Sequence, residues 1–302
     1  MKILVTGGRG FIGLAAAKEL RRCGHDVTLL SSTSSSAVDG FRVVQGDVRE
    51  QTSLLPATEG IEAVVISHQF PGFPVEQAEQ HNTFREVDAE GTRNVLAALK
   101  QNGNLQRVVY LSGAAVNDTA PPHPGIVAKL DAERYVTGSA VSYVILRSSI
   151  VYGPGDHYFS RLAGQIRSMP VVPTFGDGRA KAQPIHVDDL ALTIAAALNE
   201  QAGNHLLDVC GPNTVSTNQT IKLLSLIITG QQKRILHLPV LAIKSLASVM
   251  VATNKNPPLS PGLIDFSLFD NTSHGTNADK VYDVRFRDLR QGLREVYGNA
   301  GQ

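Results

Sequence analysis

Tryptophan is missing from this chain altogether, and its 302 residues hold only two cysteines and three methionines. Cys23 and Cys210 stand far apart, where a helix end and a strand end are expected, which argues against a disulfide framework or a thiolate metal site. A reducing cytoplasm is the expected setting. Neither sign of charge prevails, since 28 Lys and Arg face 27 Asp and Glu for a formal net charge of +1. With no basic stripe and no acidic tail, nucleic acid is not an expected partner. None of the nine histidines stands at metal-ligand spacing to a second ligand, so no metal is expected. Long apolar runs are also scarce. The most apolar stretch, "ILHLPVLAIKSLASVMVA" at 235–252, meets Pro239 and Lys244 before it reaches the ~20 residues of a membrane span. It reads as a strand and then a helix lying on the protein, with ordinary core packing as its expected role. The opening "MKILVTGG" reads as a buried strand entering a glycine loop, which leaves no room for an export signal.

What is present is a regular alternation. The β-branched runs "KILVT", "DVTLL", "RVVQGD", "AVVISH", "RVVYLS" and "SYVILRSS" each precede a loop or a helix, and 42% hydrophobic content is ample for a packed core. Strands that alternate with helices form a parallel sheet covered on both faces, wound right-handed, with its ligand crevice at the carboxyl ends of the strands. The fold class predicted is therefore α/β, a doubly wound parallel sheet of the Rossmann type with a smaller C-terminal substrate lobe. Pro and Gly clusters in "YGPGD", "MPVVPTFGDG" and "NKNPPLSPG" break the spacing after residue 150. "AQPIHVDDLALTIAAALNE" then offers a strand and a helix opened by Asp188 or Asp189. The expected division is a dinucleotide-binding domain of 1–152 plus about 183–212, and a substrate lobe of about 153–182 plus 213–302.

In "TGGRGFIG", Gly7, Gly10 and Gly13 follow the first strand and open a helix. Glycine there lets the backbone turn tightly, approach a pyrophosphate and pack helix on strand without an intervening Cβ, while the helix N-terminus offers free N–H groups to phosphate. The pattern predicts a dinucleotide cofactor. An NAD site places an acidic residue at the end of the second strand to hold the ribose hydroxyls. Here Ser31 and Ser32 stand at that position, and Arg9 inside the loop is suited to a 2′-phosphate. NADP is the expected cofactor, with NAD as the alternative.

These motifs, with "GDV" at 46–48, "DAEGTRNVLAALK" at 88–100, "VVYLS" at 108–112, "IVYGPGD" at 150–156 and "PIHVDDLA" at 184–191, resemble the extended short-chain dehydrogenase/reductase superfamily, which contains nucleotide-sugar epimerases and dehydratases. The resemblance spans nearly the whole chain. It implies an adenine contact at Asp47 with Val48 beside it, a passage for the ribose and diphosphate along Ser67 and His68, and cofactor contacts from Phe11 and Ile12 at the start of the helix.

In typical members a Tyr-x-x-x-Lys pair moves the proton and holds the nicotinamide ribose, and a serine or threonine orients the substrate. In "PPHPGIVAKLDAERY" the lysine is Lys129, but the tyrosine position is Gly125, and the serine position falls on Ala114 with Ser112 nearby. The chain thus resembles the atypical branch, which includes proteins similar to the nucleotide-binding accessory subunit of complex I. Lys129 reads as a cofactor-ribose contact or as a surface lysine paired with Glu133 one turn on. Ser112, Tyr152 and His123 are the other candidate catalytic groups, each with a plain alternative: Tyr152 packing between lobes, His123 solvated on a loop. The expected partner is a small polar or natural-product-like substrate. Three functions follow from the resemblance: an NAD(P)-dependent oxidoreductase or epimerase/dehydratase-like enzyme, a non-catalytic NADP(H)-binding protein, or a non-redox lyase or isomerase.

Overall fold

All six β-branched runs form strands of one parallel sheet: β1 (Lys2–Thr6), β2 (Asp26–Ser31), β3 (Arg42–Gln45), β4 (Ala63–Ile66), β5 (Arg107–Gly113) and β6 (Ser142–Ser148), with a seventh strand at His205–Val209. The computed structural model describes residues 1–71, 75–101, 103–117, 123–199, 203–254, 257 and 259–298. Pro121 and Pro122 of the stretch before Gly125, and Lys255, Asn256 and Pro258 of the late Pro-rich loop, lie outside the described residues.

Across the sheet the order runs from His205–Val209 through β6, β5, β4, β1 and β2 to β3. The winding therefore reverses between β1 and β4, which puts the ligand crevice at their carboxyl ends. Alternate residues of each strand feed opposite cores. Val109 and Leu111 of β5 join the core under α1 (Phe11–Arg22), while Val108 and Tyr110 join the core built with α2 (Gln51–Thr58), α3 (Gly91–Gln101) and α4 (Pro124–Thr137). A doubly wound α/β fold is the observed architecture.

A third core gathers Tyr152, Phe159, Leu162, Ile221, Leu289 and Leu293 between α5 (Tyr158–Ser168), α7 (Thr217–Thr229) and α10 (Leu289–Tyr297). Helix α6 (Val187–Asn199) begins with Asp188 and Asp189 in its first turn and covers the first core beside α1. Asp156 accepts from the backbone N–H of Phe159 at 2.7 Å, capping α5, and from the Tyr297 hydroxyl. That bond ties the C-terminal helix to α5. Among the described residues the other α-helices are α8 (Val240–Thr253) and α9 (Pro261–Ser267). Among the described residues no helix is long and apolar enough to cross a membrane.

Two expectations need correcting here. Residues 235–252 do form a strand, at Arg234–Leu238, and then α8, but α8 is not core: Ala247 is its one buried residue, and Leu241 is 82% exposed. Tyr152 is the other. It is fully buried in the third core, edge-on to His186 at 5.2 Å between ring centroids, with its hydroxyl against the Gly292 backbone. Burial pushes its phenol well above the usual range. A hydroxyl enclosed in this way does not meet a substrate, so Tyr152 is a packing residue between elements.

Candidate functional site

The glycine loop is as tight as its composition requires. Gly7 has φ of +64°, and a Cβ on it would lie 2.9 Å from the His68 backbone; a Cβ on Gly13 would collide with the Gly7 carbonyl. Gly10 N donates to Gly7 O at 2.9 Å and closes the turn. Gly10 is also the N-cap of α1 and brings no side chain to the helix's first N–H groups. Such a cradle, with no Cβ in the way and free N–H groups at a helix start, fits a dinucleotide diphosphate. Ile12 packs on the first core, and the Phe11 ring reaches Gly153 of the "YGPGD" loop.

Around this loop the other expected cofactor residues fall into two groups. On the β2 side, the Arg9 guanidinium donates from Nη1 to Ser36 O at 2.8 Å, so Arg9 lies over the serine-rich loop that begins at Ser31 and Ser32. Ser31 is buried and Ser32 exposed. The Asp47 carboxylate is held by Arg49, with Nε 3.0 Å from Oδ1 and Nη2 2.5 Å from Oδ2. That guanidinium keeps the Asp47 carboxyl below the usual range. Val48 buttresses α3, since its side chain leaves no room for a Cβ on Gly91 and its carbonyl accepts from Asn94 Nδ2 at 2.9 Å.

On the β4 side, Ser67 and His68 lock onto Thr6 of β1. Ser67 Oγ donates to Thr6 O at 2.6 Å, and His68 Nδ1 lies 2.8 Å from Thr6 Oγ1. His68 is buried, and that burial, outweighing the pull of Asp88, lowers its pKa to about 4. It is a neutral, structural histidine at neutral pH.

Lys129 sits on α4 above the carboxyl end of β5. Its Nζ is 2.8 Å from Asp88 Oδ1, and its side chain is 17% exposed against 2% for Asp88. Glu133, the expected partner, pairs instead with Arg147, whose Nη2 is 2.7 Å from Oε2. The surface-lysine alternative is thereby overturned: α4 turns Lys129 inward. Asp88 accepts a second bond on Oδ2 from Phe70 N at 2.9 Å, which fastens the loop after β4 to the same carboxylate. It stands in a π-helical turn, Arg85–Glu90, directly before α3, and such turns are often found at functional sites. Burial works to lower the Lys129 pKa, but Asp88 and the Tyr110 hydroxyl below it prevail and raise it. The buried hydroxyl of Ser112 has no hydrogen-bond partner among the described residues. Ser112 is enclosed like Tyr152, its hydroxyl buried on β5, and by the same argument does not meet a substrate.

The space beside Gly125 is filled. A Cβ on Gly125 would come 3.1 Å from Phe84 Cε1 and 3.3 Å from His123 Nδ1. Phe84 stacks on Phe70 at 4.6 Å between centroids, meets His123 at 5.6 Å, and His123 in turn meets Phe266 of α9 at 5.7 Å. His123 is not a solvated loop residue: its Nδ1 accepts from Gly125 N at 3.1 Å and caps α4. With Nδ1 accepting, the proton of the neutral ring resides on Nε2.

Sequence reasoning missed Asp88, Phe84 and Tyr110. "DAEGTRNVLAALK" opens on Asp88, and an acid leading an apolar helix was the available signal, but nothing local pairs it with Lys129. Among the described residues no group of three His, Cys, Asp or Glu side chains could hold a metal ion.

Comparison with known proteins bears on family and fold. Residues 3–210 match the model of the NAD dependent epimerase/dehydratase family. A 2-alkyl-3-oxoalkanoate reductase of Stenotrophomonas maltophilia is 30% identical over 64% of this chain, and the match spans 63% of that relative's length. The mitochondrial NADH dehydrogenase [ubiquinone] 1 alpha subcomplex subunit 9 of Arabidopsis thaliana is 23% identical over 94% of the chain and 72% of its own length. Among solved structures, MoeE5 in complex with UDP-glucuronic acid and NAD superposes with a TM-score of 0.75, covering 98% of each chain at 23% identity, which establishes likeness of fold.

Proposed function

Because this chain belongs to the NAD dependent epimerase/dehydratase family, we propose that it is an NAD(P)-dependent oxidoreductase or epimerase/dehydratase-like enzyme that works without a proton donor at residue 125. Its substrate in this reading is a small polar or natural-product-like molecule, taken up beside a lobe of about 153–182 and 213–302. The observation that carries the reading is the inward-turned Lys129, fixed by Asp88 at the end of β5, one strand from the glycine cradle on β1 and β4.

Gly7, Gly10 and Gly13 would let the diphosphate approach the backbone, and Lys129 would hold the ribose of the nicotinamide half. A nicotinamide cofactor held there would supply hydride exchange. Arg9 and the loop at Ser31 and Ser32 favour a 2′-phosphate, hence NADP over NAD; a cation beside a serine-rich loop with no carboxylate at the strand end supports that preference. His123, with Nε2 as its donor nitrogen, is the group left to meet a substrate oxygen.

One observation favours the second reading, a dinucleotide-binding protein without turnover. The space beside Gly125 holds the Phe84 ring where an acid would stand. Titration with NADPH and NADH, followed by a panel of carbonyl and hydroxyl compounds read at the nicotinamide absorbance, separates the two. Tight binding with reduction or oxidation of any panel member supports the enzyme; tight binding with none supports the binding role. Absence of binding by either dinucleotide overturns both.

A further inference from the structure

His123 is framed by two glycines, one at each ring nitrogen. A Cβ on Gly125 would stand 3.3 Å from Nδ1, and a Cβ on Gly262, the second residue of α9, would stand 3.3 Å from Nε2. Nδ1 is spent on the Gly125 N–H, which leaves the ring proton on Nε2. That nitrogen has no hydrogen-bond partner among the described residues, and it is not shut off from solvent. Burial holds the half-buried ring below the ordinary histidine pKa, against the pull of Glu76 and Asp265, so it is a neutral donor at neutral pH. Gly262 is not demanded by its backbone, since its φ is not positive, and alanine would suit a helix better. The one contact tighter than ordinary packing that a side chain there would make is with Nε2.

The surroundings of this donor are aromatic. Phe84 meets the ring at 5.6 Å and Phe266 at 5.7 Å between centroids, and Phe70 carries the row on to the loop that Asp88 fastens. Phe266 is 38% exposed. Cations close by in the chain are already answered: Arg85 faces Glu90 at 3.9 Å, Lys129 faces Asp88 at 2.8 Å and Lys244 faces Asp265 at 2.5 Å. A diphosphate or carboxylate is recognised by guanidinium or ammonium groups that are not yet paired. An uncharged ring is recognised by aromatic edges and faces, which this row supplies. We propose that the substrate is an uncharged aryl carbonyl compound, its oxygen accepting from His123 Nε2 and its ring lying against Phe266, and that Gly262 determines specificity by keeping Nε2 open. This assignment deepens the functional reading above and rests on it, because that reading makes the crevice a substrate site.

Ligand-detected NMR titration of the full chain, with and without NADPH, tests this with acetophenone, cyclohexyl methyl ketone and UDP-glucose as probes. Acetophenone should bind about two- to tenfold tighter than cyclohexyl methyl ketone, which keeps the carbonyl and replaces the aromatic ring with an aliphatic one. UDP-glucose should bind more weakly than either. Acetophenone should also shift the His123 Nε2 resonance. Gly262→Ala sets a methyl group against Nε2 and should weaken acetophenone roughly tenfold, the size of a lost hydrogen bond, with the fold intact by circular dichroism. Phe266→Leu keeps an apolar contact and should erase the preference between the two ketones. Leu241→Ser, on the 82% exposed position of α8, should leave acetophenone affinity unchanged. Equal affinity for the two ketones, tighter UDP-glucose, an unmoved His123 resonance, or indifference to Gly262→Ala and Phe266→Leu would overturn the proposal. So would a loss at Leu241→Ser as large as at Gly262→Ala, which would mark adventitious apolar binding only. Failure of NADPH to bind would overturn the functional reading instead, and the titrations without NADPH still read the aromatic row by itself.

Discussion

Lys129 Nζ and Asp88 Oδ1 are 2.8 Å apart, and the aspartate is almost wholly enclosed. An ammonium answered so closely by a carboxylate can still donate hydrogen bonds, but its field on neighbouring groups is largely cancelled. In the proposed reading it is a holder and not a tuner. Removal of one member leaves a buried charge unpaired, which costs about 3–5 kcal/mol in comparable settings. We predict that Lys129→Met lowers unfolding free energy by about 3 kcal/mol, and that adding Asp88→Leu recovers most of the loss. The NADPH dissociation constant should rise roughly ten- to a hundredfold for Lys129→Met at temperatures where the variant is folded. Urea denaturation and nicotinamide fluorescence measure the two effects separately. Unchanged affinity would remove Lys129 from the cofactor site while leaving the ion pair intact.

His68 carries a pH dependence whose sign is fixed by burial. Enclosure lowers its pKa from 6.5 to about 4, so between those values the unfolded chain binds the proton and the folded chain does not. Stability from this group is present above pH 6.5 and falls as the pH drops toward 4, by about 3 kcal/mol in all. His68→Gln should lose correspondingly less stability than the unmodified protein when both are unfolded at neutral and at acid pH. Identical losses in the two proteins would show that His68 titrates normally.

Much of this arrangement is legible before folding, because it depends on neighbours in sequence. The six strands follow from runs of β-branched residues, and the cradle from Gly7, Gly10 and Gly13. What the sequence hides is partnership at a distance. Lys129 has Glu133 one turn away, and only the packing of α4 on the π-helical turn shows that Asp88 takes the lysine while Arg147, on β6, takes the glutamate. Tyr152 borders a glycine-rich loop, which reads as a cleft mouth, yet Gly292 from the far end of the chain closes over its hydroxyl. For α8 the apolar composition reads as burial, and whether a helix is covered depends on elements that composition does not mention.

We predict that cofactor choice depends on Arg9. Its guanidinium lies over the loop after β2, with Nη1 2.8 Å from Ser36 O. The preceding strand ends in Ser31 with no carboxylate to repel a 2′-phosphate. Arg9→Ala should weaken NADPH binding by about tenfold or more, the size of a charge-assisted hydrogen bond, while NADH affinity is retained. Equal losses for both, or tighter NADH than NADPH binding by the unmodified protein, would assign the preference to NAD.

The filled place beside Gly125 gives the last prediction. A side chain there meets Phe84 Cε1 at 3.1 Å already at Cβ, so Gly125→Tyr overpacks the aromatic row and should destabilise by about 1–3 kcal/mol. Pairing it with Phe84→Ala opens room for the ring and should recover part of that loss. The phenol should then titrate at or above its ordinary value of about 10, because the nearby ammonium is already neutralised by Asp88 and the surroundings are partly desolvated. Adding Asp88→Asn frees the lysine's field and should lower the midpoint, a change read directly as phenolate absorbance against pH with the native tyrosines subtracted. If the Gly125→Tyr/Phe84→Ala protein instead shows a phenol well below the ordinary value with Asp88 intact, the ion pair does not cancel the charge of Lys129. The site would then be a reductase centre lacking only its acid, and carbonyl reduction by that variant would be the accompanying sign.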